Sequence, residues 1–470
     1  MLFNSLQYAI FLLAIWLVTS TLPRSARVGV LLAASFLFYA LWHPIYLLLL
    51  ATMLLVNFAL LRVIANGRHV KWALAGSISF TLASLIWFKY AALLITTAAP
   101  AIEAVFGAPP AIPTIFLPLG ISFYSFQIIA LAVDVKRGEV DCPPSLSRYA
   151  LFVCFFPQLV AGPILRGSEL LPQLEGGGEQ TPERTRRGLW LLAVGAMKKM
   201  LFADFLLAGF VNTAFGAADL ASAPIHLFAV YSFAFQIYFD FSGYTDMARG
   251  SALLLGIELP LNFREPYLSR NPAEFWRRWH ITLSSWLRDY LYIPLGGNRY
   301  GNLFTRRNLA LTMMLGGLWH GAAWTFLLWG TLHGAFLIAH RLSTSGGRGS
   351  ADEERIALRD LPAIVLCFHA VCIGWVFFRA PDVATAMTVL GTIATGSYAS
   401  PWPWLQVVVV SACAALHVAE RIGRVHVAEL QAACGSTRWG PAVEGLALGA
   451  ALALAVAVSD SGGDFIYFQF

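Results

Sequence analysis

The chain has 470 residues, of which 58% are hydrophobic and only 12% are charged, whereas soluble domains carry about 25% charged residues. Arginine supplies 27 of the 32 basic side chains behind the formal net charge of +6. These arginines cluster in short loops between apolar stretches, so we interpret them as topology signals and contacts for anionic groups rather than as a nucleic-acid surface. The composition excludes a soluble globular enzyme and predicts a polytopic membrane protein.

The apolar stretches of spanning length are residues 6–21, 28–42, 44–65, 73–98, 114–135, 189–214, 225–257, 361–379, 403–419 and 441–458. Residues 149–165 are short and residues 308–340 are long for a single crossing, so we expect both to be re-entrant or broken. Together these segments predict an all-α fold of about 10–12 membrane-spanning or re-entrant helices. Because no internal repeat or long soluble linker is visible, residues 1–470 are expected to form a single membrane domain.

Basic residues orient the predicted spans, because cytoplasmic loops are enriched in lysine and arginine. They follow alternate spans in the first half, which predicts an external N-terminus. Residues 166–188 contain four arginines and residues 258–307 contain eight, so we expect both segments in the cytoplasm. Residues 215–224 contain no arginine, so we expect them outside the cell membrane. The loop 341–360 has four arginines and four acids, which leaves the side of the C-terminus open. If this loop is inside, 308–340 forms a hairpin or broken helix, since its 33 residues are too few for two full helices.

Two motifs precede the basic segment. Residues 155–166, FFPQLVAGPILR, contain a Gly–Pro break and predict a kinked or re-entrant element that lines a cavity. Residues 238–249, YFDFSGYTDMAR, place Asp240 and Asp246 in or beside a span, where carboxylates need partners. Hydrogen bonding between helices to tyrosine or arginine is one interpretation, and orientation of a catalytic histidine is the other.

Residues 271–299, NPAEFWRRWHITLSSWLRDYLYIPLGGNR, predict a helix that begins at an Asn271 cap. Pro272 suits the first helical position and Glu274 has capping-box spacing. Helical periodicity places His280 on an apolar face with one tryptophan and two leucines, and that face is expected to point toward the membrane interior. The helix should therefore lie at the cytoplasmic interface.

Three arginines of this helix offer bidentate donors that suit a phosphate or pyrophosphate group: Arg277, Arg278 and Arg288. A dock for an anionic donor molecule is therefore one interpretation. A surface-anchored amphipathic helix is the alternative, because anionic lipid headgroups would satisfy the same arginines.

Residues 315–334, LGGLWHGAAWTFLLWGTLHG, place His320 well inside an apolar run. A charged imidazole is poorly solvated there, which favours the neutral form, and a neutral imidazole can accept a hydroxyl proton. The alternative is a packed histidine that donates one hydrogen bond to a carbonyl. Glycines such as Gly317 and Gly321 favour the functional interpretation, because they allow a backbone or substrate to approach closely. His333 is interpreted as a helix-packing residue.

Several motifs in the same order carry a family resemblance. They are FFPQLVAGPI at 155–164, DFSGYTDMA at 240–248, NFREPYLSRNPAEFWRRWHITLSSWLRDYLYIPLGG at 262–297, LWHGAAWTFLLWG at 318–330 and FIYFQF at 465–470. The chain resembles the membrane-bound O-acyltransferase family, in particular the bacterial branch that includes the membrane subunit of alginate O-acetylation. The resemblance implies a multi-helix domain around a central catalytic tunnel, with a catalytic pair at His280 and His320.

The resemblance also implies a reaction. Family members move an acyl group from an activated donor in the cytoplasm to a hydroxyl group. For acetyl transfer the donor is generally acetyl-CoA. Relatives that modify exported polymers usually pass the acyl group to a periplasmic partner acyltransferase. We therefore expect a multi-pass protein of the bacterial inner membrane that serves O-acetylation of an exported polysaccharide such as alginate. It would contact membrane lipids and no nucleic acid. Peptidoglycan, cellulose and teichoic acid stay open as acceptors.

In the expected reaction His320 is the general base, and a polar group near His280 or a backbone N–H stabilises the oxyanion. An acyl-enzyme through serine or cysteine is an alternative, although no nucleophile has a base at motif spacing. The six cysteines form no CxxC pair, so we expect neither a metal site nor a permanently bound cofactor, and acetyl-CoA would enter as a substrate. A polysaccharide or lipid transporter, or an export scaffold, is the rival class.

Overall fold

The computed structural model describes residues 3–113, 115–140, 143–160, 162–176, 178–344, 356–435 and 440–457. All regular secondary structure in these ranges is helical, which confirms the all-α fold class. The α-helices are α1 (Leu6–Thr21), α2 (Arg24–Ala40), α3 (Tyr46–Ala65), α4 (Val70–Leu85), α5 (Ala91–Phe106), α6 (Ile121–Arg137), α7 (Leu146–Cys154), α8 (Phe156–Leu159), α9 (Gly167–Glu175), α10 (Pro182–Ala196), α11 (Gly209–Gly216), α12 (Ala223–Leu254), α13 (Pro272–Arg278), α14 (Ile281–Leu287), α15 (Asn302–His320), α16 (Trp324–Ser343), α17 (Leu361–Arg379), α18 (Val383–Thr395), α19 (Trp404–Gly435) and α20 (Gly440–Ala457). Between them lie the π-helices Ile86–Tyr90, Met197–Ala208 and Arg288–Tyr292 and the 3-10 helices Pro266–Leu268 and Leu358–Asp360.

Two expectations concern segments outside these ranges. The terminal motif at 465–470 and residues 345–355 of the charged loop lie outside the described residues.

Within the described part of the chain, four helical segments are long and apolar enough to cross a membrane. They are Tyr46–Ala65, Val70–Phe106, Leu358–Arg379 and Trp404–Gly423. Three shorter apolar helices are Leu6–Thr21, Val383–Thr395 and Glu444–Ala457. Many large apolar side chains on these helices face outward, as Leu48 and Leu405 do. Lipid stabilises such a surface and water does not, so the chain is a polytopic membrane protein.

The chain divides into two compact units, each built from two separate segments. The first contains Met1–Leu192 and Met247–Pro260, and the second contains Ala193–Asp246 and Leu261–Phe470. The single membrane domain stays a prediction.

In the first unit, α3 packs on α4, α4 on α6, and α2 on α7. Buried polar groups join these helices, since the Ser77 hydroxyl donates to Asn57 Oδ1 at 2.6 Å. The 155–166 motif lies in this unit and is broken, as expected. Helix α7 ends before Phe155, and the Phe156 N–H donates to Ser35 Oγ at 3.1 Å. The Phe156 N–H, which has no partner within α7 because that helix ends, is thereby hydrogen-bonded without water.

In the second unit, the long apolar run of 308–340 forms a helical hairpin. The break falls at Gly321–Ala323, between α15 and α16, which confirms the expected broken helix. The 33-residue run supplies only part of each helix, since α15 begins at Asn302 and α16 ends at Ser343. They have 19 and 20 residues, which is about 30 Å each.

The two helices of this hairpin touch backbone to backbone. A Cβ at Gly317 would overlap the Phe326 carbonyl oxygen, and a Cβ at Gly330 would overlap the Met313 carbonyl oxygen. These glycines are explained by close helix packing.

The carboxylates of α12 have lysine partners in the π-helix Met197–Ala208. Lys199 binds Asp240 and also lies 2.9 Å from Asp204, while Lys198 lies 3.0 Å from Asp246 and 2.7 Å from Glu420. The interpretation of Asp240 and Asp246 as helix-to-helix partners is confirmed. Both carboxylates are paired with lysines.

Candidate active site

His280 lies at a break between two short helices. The prediction of one continuous helix through this histidine is wrong, since α13 ends at Arg278 and α14 begins at Ile281. His280 has a left-handed backbone with φ of 43°, which a side chain other than glycine adopts only where its surroundings hold it there. The predicted apolar face therefore does not extend across His280.

The start of α13 follows the prediction more closely. Asn271 Oδ1 accepts a hydrogen bond from the Glu274 N–H at 2.9 Å, so the predicted N-cap is confirmed. The Glu274 carboxylate does not complete a capping box with Asn271. It accepts instead from the backbone N–H of Arg270 at 2.9 Å.

Asn262 holds the imidazole of His280. His280 is fully buried, and its Nδ1 lies 3.1 Å from Asn262 Oδ1. The same oxygen accepts from the N–H and the hydroxyl of Thr282, at 3.2 and 3.0 Å, so it is an acceptor toward Nδ1. The proton of a neutral His280 is therefore on Nδ1, and Nε2 carries the free lone pair.

The other ring nitrogen of His280 faces no partner. Nε2 is buried and has no hydrogen-bond partner among the described residues. Burial lowers the pKa of His280 to about 3, because the charged form loses its hydration. The ring thus presents one neutral hydrogen-bond acceptor.

His320 is the last residue of α15 and is buried. Its ring centroid lies 6.3 Å from that of His280. Rings of Trp319 and Trp329 pack on it, each at 5.0 Å. We call the enclosure formed by these two tryptophans together with Phe241, Phe263 and Phe378 the aromatic cage. The structure thus brings together the two histidines that the resemblance paired.

The glycine beside His320 serves packing. A Cβ at Gly321 would overlap the ring of Phe326, so glycine allows this ring to pack at the turn of the hairpin. His333 is buried one helix further on, stacked on Phe275 at 5.9 Å.

The three arginines of the predicted dock have different environments. Arg277 is exposed. Arg278 is 3% exposed, and its Nη2 donates to the Glu274 carboxylate at 2.6 Å. Arg288 has an exposed side chain whose Nε lies 2.6 Å from Asp289 Oδ1. The side chains of Arg277 and Arg288 therefore reach solvent, whereas Arg278 is buried in an ion pair with Glu274 of the same helix.

Asn262 and the phenylalanines of the cage were not singled out from the sequence, whereas Trp319 and Trp329 lie beside His320 in the 315–334 motif. Asn262 lies 18 residues before His280, and no helical or strand period connects the two. The asparagine at the start of the NFREPY motif was the available signal. Among the described residues, no group of three or more His, Cys, Asp or Glu could hold a metal ion.

Comparison with known proteins identifies the family. The sequence profile of the membrane-bound O-acyltransferase family matches residues 108–379. The probable alginate O-acetylase AlgI of Azotobacter vinelandii is 41% identical over 370 residues, which is 77% of this chain and 72% of that protein. The peptidoglycan O-acetyltransferase of Helicobacter pylori is 37% identical over 390 residues, 77% of this chain and 72% of that protein.

A relative with lower sequence identity is named for the transfer of a different acyl group, D-alanyl. The teichoic acid D-alanyltransferase of Bacillus subtilis is 28% identical over 275 residues, 55% of this chain and 68% of that protein. The match to the family covers the hairpin and both histidines, and several relatives share most of the chain. The protein therefore belongs to the membrane-bound O-acyltransferase family and is an O-acyltransferase of the branch that resembles the alginate O-acetylases.

Proposed function

We propose that this enzyme moves an acetyl group from a cytoplasmic thioester, acetyl-CoA, to a hydroxyl in the pathway that O-acetylates an exported polysaccharide such as alginate. The observation that carries the proposal is the pair of buried histidines 6.3 Å apart in one aromatic cage. Relatives named as O-acetylases or O-acetyltransferases match 77% of the chain, whereas the D-alanyltransferase matches 55%. This difference favours acetyl over D-alanyl transfer. The protein would lie in the inner membrane and pass the acetyl group to a periplasmic acyltransferase.

His320 acts as the general base in this proposal. Its imidazole takes the proton of the acceptor hydroxyl while the hydroxyl oxygen attacks the thioester carbonyl carbon. A C–O bond forms, the C–S bond breaks, and the thiolate of coenzyme A leaves with the proton that His320 received. The cage excludes water, which protects the thioester from hydrolysis.

His280 holds a substrate group in place. The lone pair on its Nε2 can accept a hydrogen bond from the hydroxyl or from an amide N–H of the donor. Asn262 sets this tautomer, and the buried Nδ2 of Asn262 also has no hydrogen-bond partner among the described residues. That amide is one candidate for the polar group near His280 that stabilises the oxyanion.

The accessible arginines are suited to the phosphates of coenzyme A. Arg277 and Arg288 offer planar guanidinium donors; two nitrogens of Arg288 also bind Asp289. Arg278 pairs with Glu274 within α13 and stabilises that short helix. Direct transfer is the simplest route. Labelled acetyl that stays on the purified chain after the donor is removed would contradict it.

The test is the base-labile acetate on exported glycans of cells with the wild type, no protein, or His320→Ala at equal expression. Removal of the base should lower transfer by about 10²–10⁴-fold, so the variant should match the null strain. His43→Ala is the matched control, because His43 is an exposed histidine between α2 and α3, outside the segments that carry the candidate site, and the variant should retain activity. Acetate lost only in the null strain would show that His320 is not the base.

Fractionation of the same glycans decides the acceptor. Acetate lost from an exported polysaccharide supports the proposal. Acetate lost from peptidoglycan instead would assign the protein the acceptor named for the Helicobacter pylori relative.

A further inference from the structure

Two side chains of α19 hold the segment that carries Asn262. His417 is buried, and its Nε2 accepts a hydrogen bond from the backbone N–H of Tyr267 at 3.2 Å. Glu420 lies one turn further along α19, with Oε2 3.4 Å from His417 Nδ1. We call His417 and Glu420 the α19 clamp. Helix α19 contributes no residue to the motifs that carry the family resemblance.

The groups around His417 define where its proton is. A backbone N–H can only donate, so His417 Nε2 carries a lone pair and the ring is neutral. Its proton is therefore on Nδ1 and faces the Glu420 carboxylate. This carboxylate is held in turn, because Oε1 lies 2.7 Å from Lys198 Nζ and Oε2 accepts from the Tyr238 hydroxyl at 2.7 Å. The α19 clamp is thus a fixed acceptor for one backbone N–H.

The segment that the α19 clamp holds pairs with the backbone on both sides of His280. The Arg264 N–H donates to the Arg278 carbonyl at 2.9 Å, and the Ile281 N–H donates to the Asn262 carbonyl at 2.9 Å. One of these bonds lies before the left-handed turn at His280 and the other directly after it. The position of this segment therefore sets the position of the turn.

A strained residue separates this pairing from the α19 clamp. Glu265 lies between the paired residues and the bond from Tyr267 to His417, and it is buried with a φ of 37°. A residue other than glycine keeps such a left-handed backbone only where its surroundings hold it on both sides. The pairing holds one side of Glu265 and the α19 clamp holds the other. Without the clamp, Glu265 can relax and the Asn262 oxygen can shift away from His280.

The α19 clamp also supports a wall of the aromatic cage. The centroid of the Tyr238 ring lies 4.6 Å from that of His417 and 5.9 Å from that of Phe263. Phe263 belongs to the cage, and its ring centroid lies 6.5 Å from that of His280. Helix α19 therefore supports both the backbone that pairs with the turn and a ring beside the histidine.

We propose that His417 is a positioning residue for the reaction: it holds Tyr267 so that Asn262 Oδ1 accepts from His280 Nδ1 and leaves the His280 Nε2 lone pair for the substrate. The inference rests on the proposed function, in which this lone pair accepts a hydrogen bond from a substrate group. His417 acts through the backbone of Tyr267 and through Asn262 rather than by contact with the substrate.

Solid-state NMR of the full-length protein in lipid bilayers tests the tautomer directly. Histidine labelled with ¹³C and ¹⁵N shows which ring nitrogen carries the proton, and His280→Gln assigns the His280 signals. The wild type should carry the His280 proton on Nδ1. His417→Phe keeps a ring and removes both nitrogens, so it should move part or all of the His280 proton to Nε2. His417→Gln should keep the wild-type tautomer, since its amide can accept from Tyr267 and donate to Glu420.

The wild-type protein supplies a test that does not depend on whether His417→Phe folds. In the same spectrum, His417 should carry its own proton on Nδ1, opposite the nitrogen that accepts from Tyr267. A His417 proton on Nε2 would exclude this hydrogen bond and would overturn the inference.

Turnover of acetyl-CoA by membrane vesicles from glycan-exporting cells separates positioning from helix packing. At equal amounts of folded protein, His417→Phe should lower kcat by about 10–10²-fold with little change in KM, because a group behind the reacting one sets orientation. His417→Gln should retain most of the wild-type kcat. Gln406→Leu is the matched control, since it removes another buried hydrogen bond between α19 and α12, from Gln406 to Ser232 at 2.9 Å. It should leave kcat and the His280 tautomer unchanged.

The other outcomes contradict specific statements. A His280 proton that stays on Nδ1 in His417→Phe overturns the inference. An equal loss of kcat in Gln406→Leu, or a His417→Gln protein as slow as His417→Phe, also overturns it, because packing rather than the acceptor atom would then matter. A tautomer that moves without a loss of kcat leaves the positioning intact and contradicts the role of His280 in the proposed function.

Discussion

At the scale of single residues, Asn262 determines which ring nitrogen of His280 faces the aromatic cage. One oxygen accepts three hydrogen bonds, from His280 Nδ1 and from two groups of Thr282. The backbone carbonyl of Asn262 also accepts from the Ile281 N–H at 2.9 Å. Asn262 thereby fixes the left-handed turn and the tautomer together, as groups behind a functional histidine do in other sites.

Asn262→Asp should make activity sensitive to acid. In the wild type, burial lowers the pKa of His280 to about 3, so the ring stays neutral at any pH well above that value. A carboxylate beside Nδ1 favours the imidazolium and raises the pKa of His280. The variant should therefore lose kcat at a higher pH than the wild type does as the solution is acidified.

The pH profile of kcat measures this effect. Asn262→Leu is the control, because it lacks the acceptor oxygen and should lower kcat without moving the acid limb upward. Superimposable profiles for the wild type and Asn262→Asp would mean that this oxygen does not control His280.

At the scale of elements, the α15–α16 hairpin positions His320. Its glycines let two helical backbones touch, which places the end of α15 against Trp329 of α16. The π-helix Met197–Ala208 has a comparable role on α12, because its wider turn presents the consecutive Lys198 and Lys199 to two carboxylates of one helix. Both arrangements place buried polar groups next to partners within the membrane protein.

Gly317→Ala should destabilise the protein by about 1–3 kcal/mol, because the added methyl group overlaps the Phe326 carbonyl oxygen and forces the helices apart. Gly391→Ala is the matched control, since Gly391 lies on α18 with no atom within 4 Å of an added Cβ. It should be neutral or stabilising by up to about 1 kcal/mol. Thermal unfolding of both purified variants measures the difference. Equal midpoints would contradict the close packing of the hairpin.

At the scale of the whole molecule, the distribution of arginine predicts how the chain is oriented in the membrane. Residues 166–188 and 258–307 are expected in the cytoplasm, where the donor is made, and 215–224 outside. The two exposed dock residues, Arg277 and Arg288, belong to the second of these segments. Donor and arginines would then meet on the same side of the membrane.

Cysteine labelling in intact cells tests this orientation. With the six native cysteines replaced, Glu183→Cys should react with a membrane-impermeant maleimide only after the cells are opened. Leu220→Cys, at an 88% exposed position, should react in intact cells. The reverse pattern would place the arginine-rich segments outside and would contradict entry of a cytoplasmic donor at Arg277.

The sequence by itself determined the membrane class, the helical fold and the motifs that lead to the family, because hydropathy and local motif order are properties of neighbouring residues. It also indicated a break within residues 308–340 and the cap at Asn271, because segment length and short-range capping are local properties. Tertiary structure alone decided the break at His280, since its left-handed backbone is held by Asn262 from another segment. It also decided which side chains surround the two histidines. Contacts such as those of Trp329 with His320 and Trp375 join separate helices, and no local period records how helices pack.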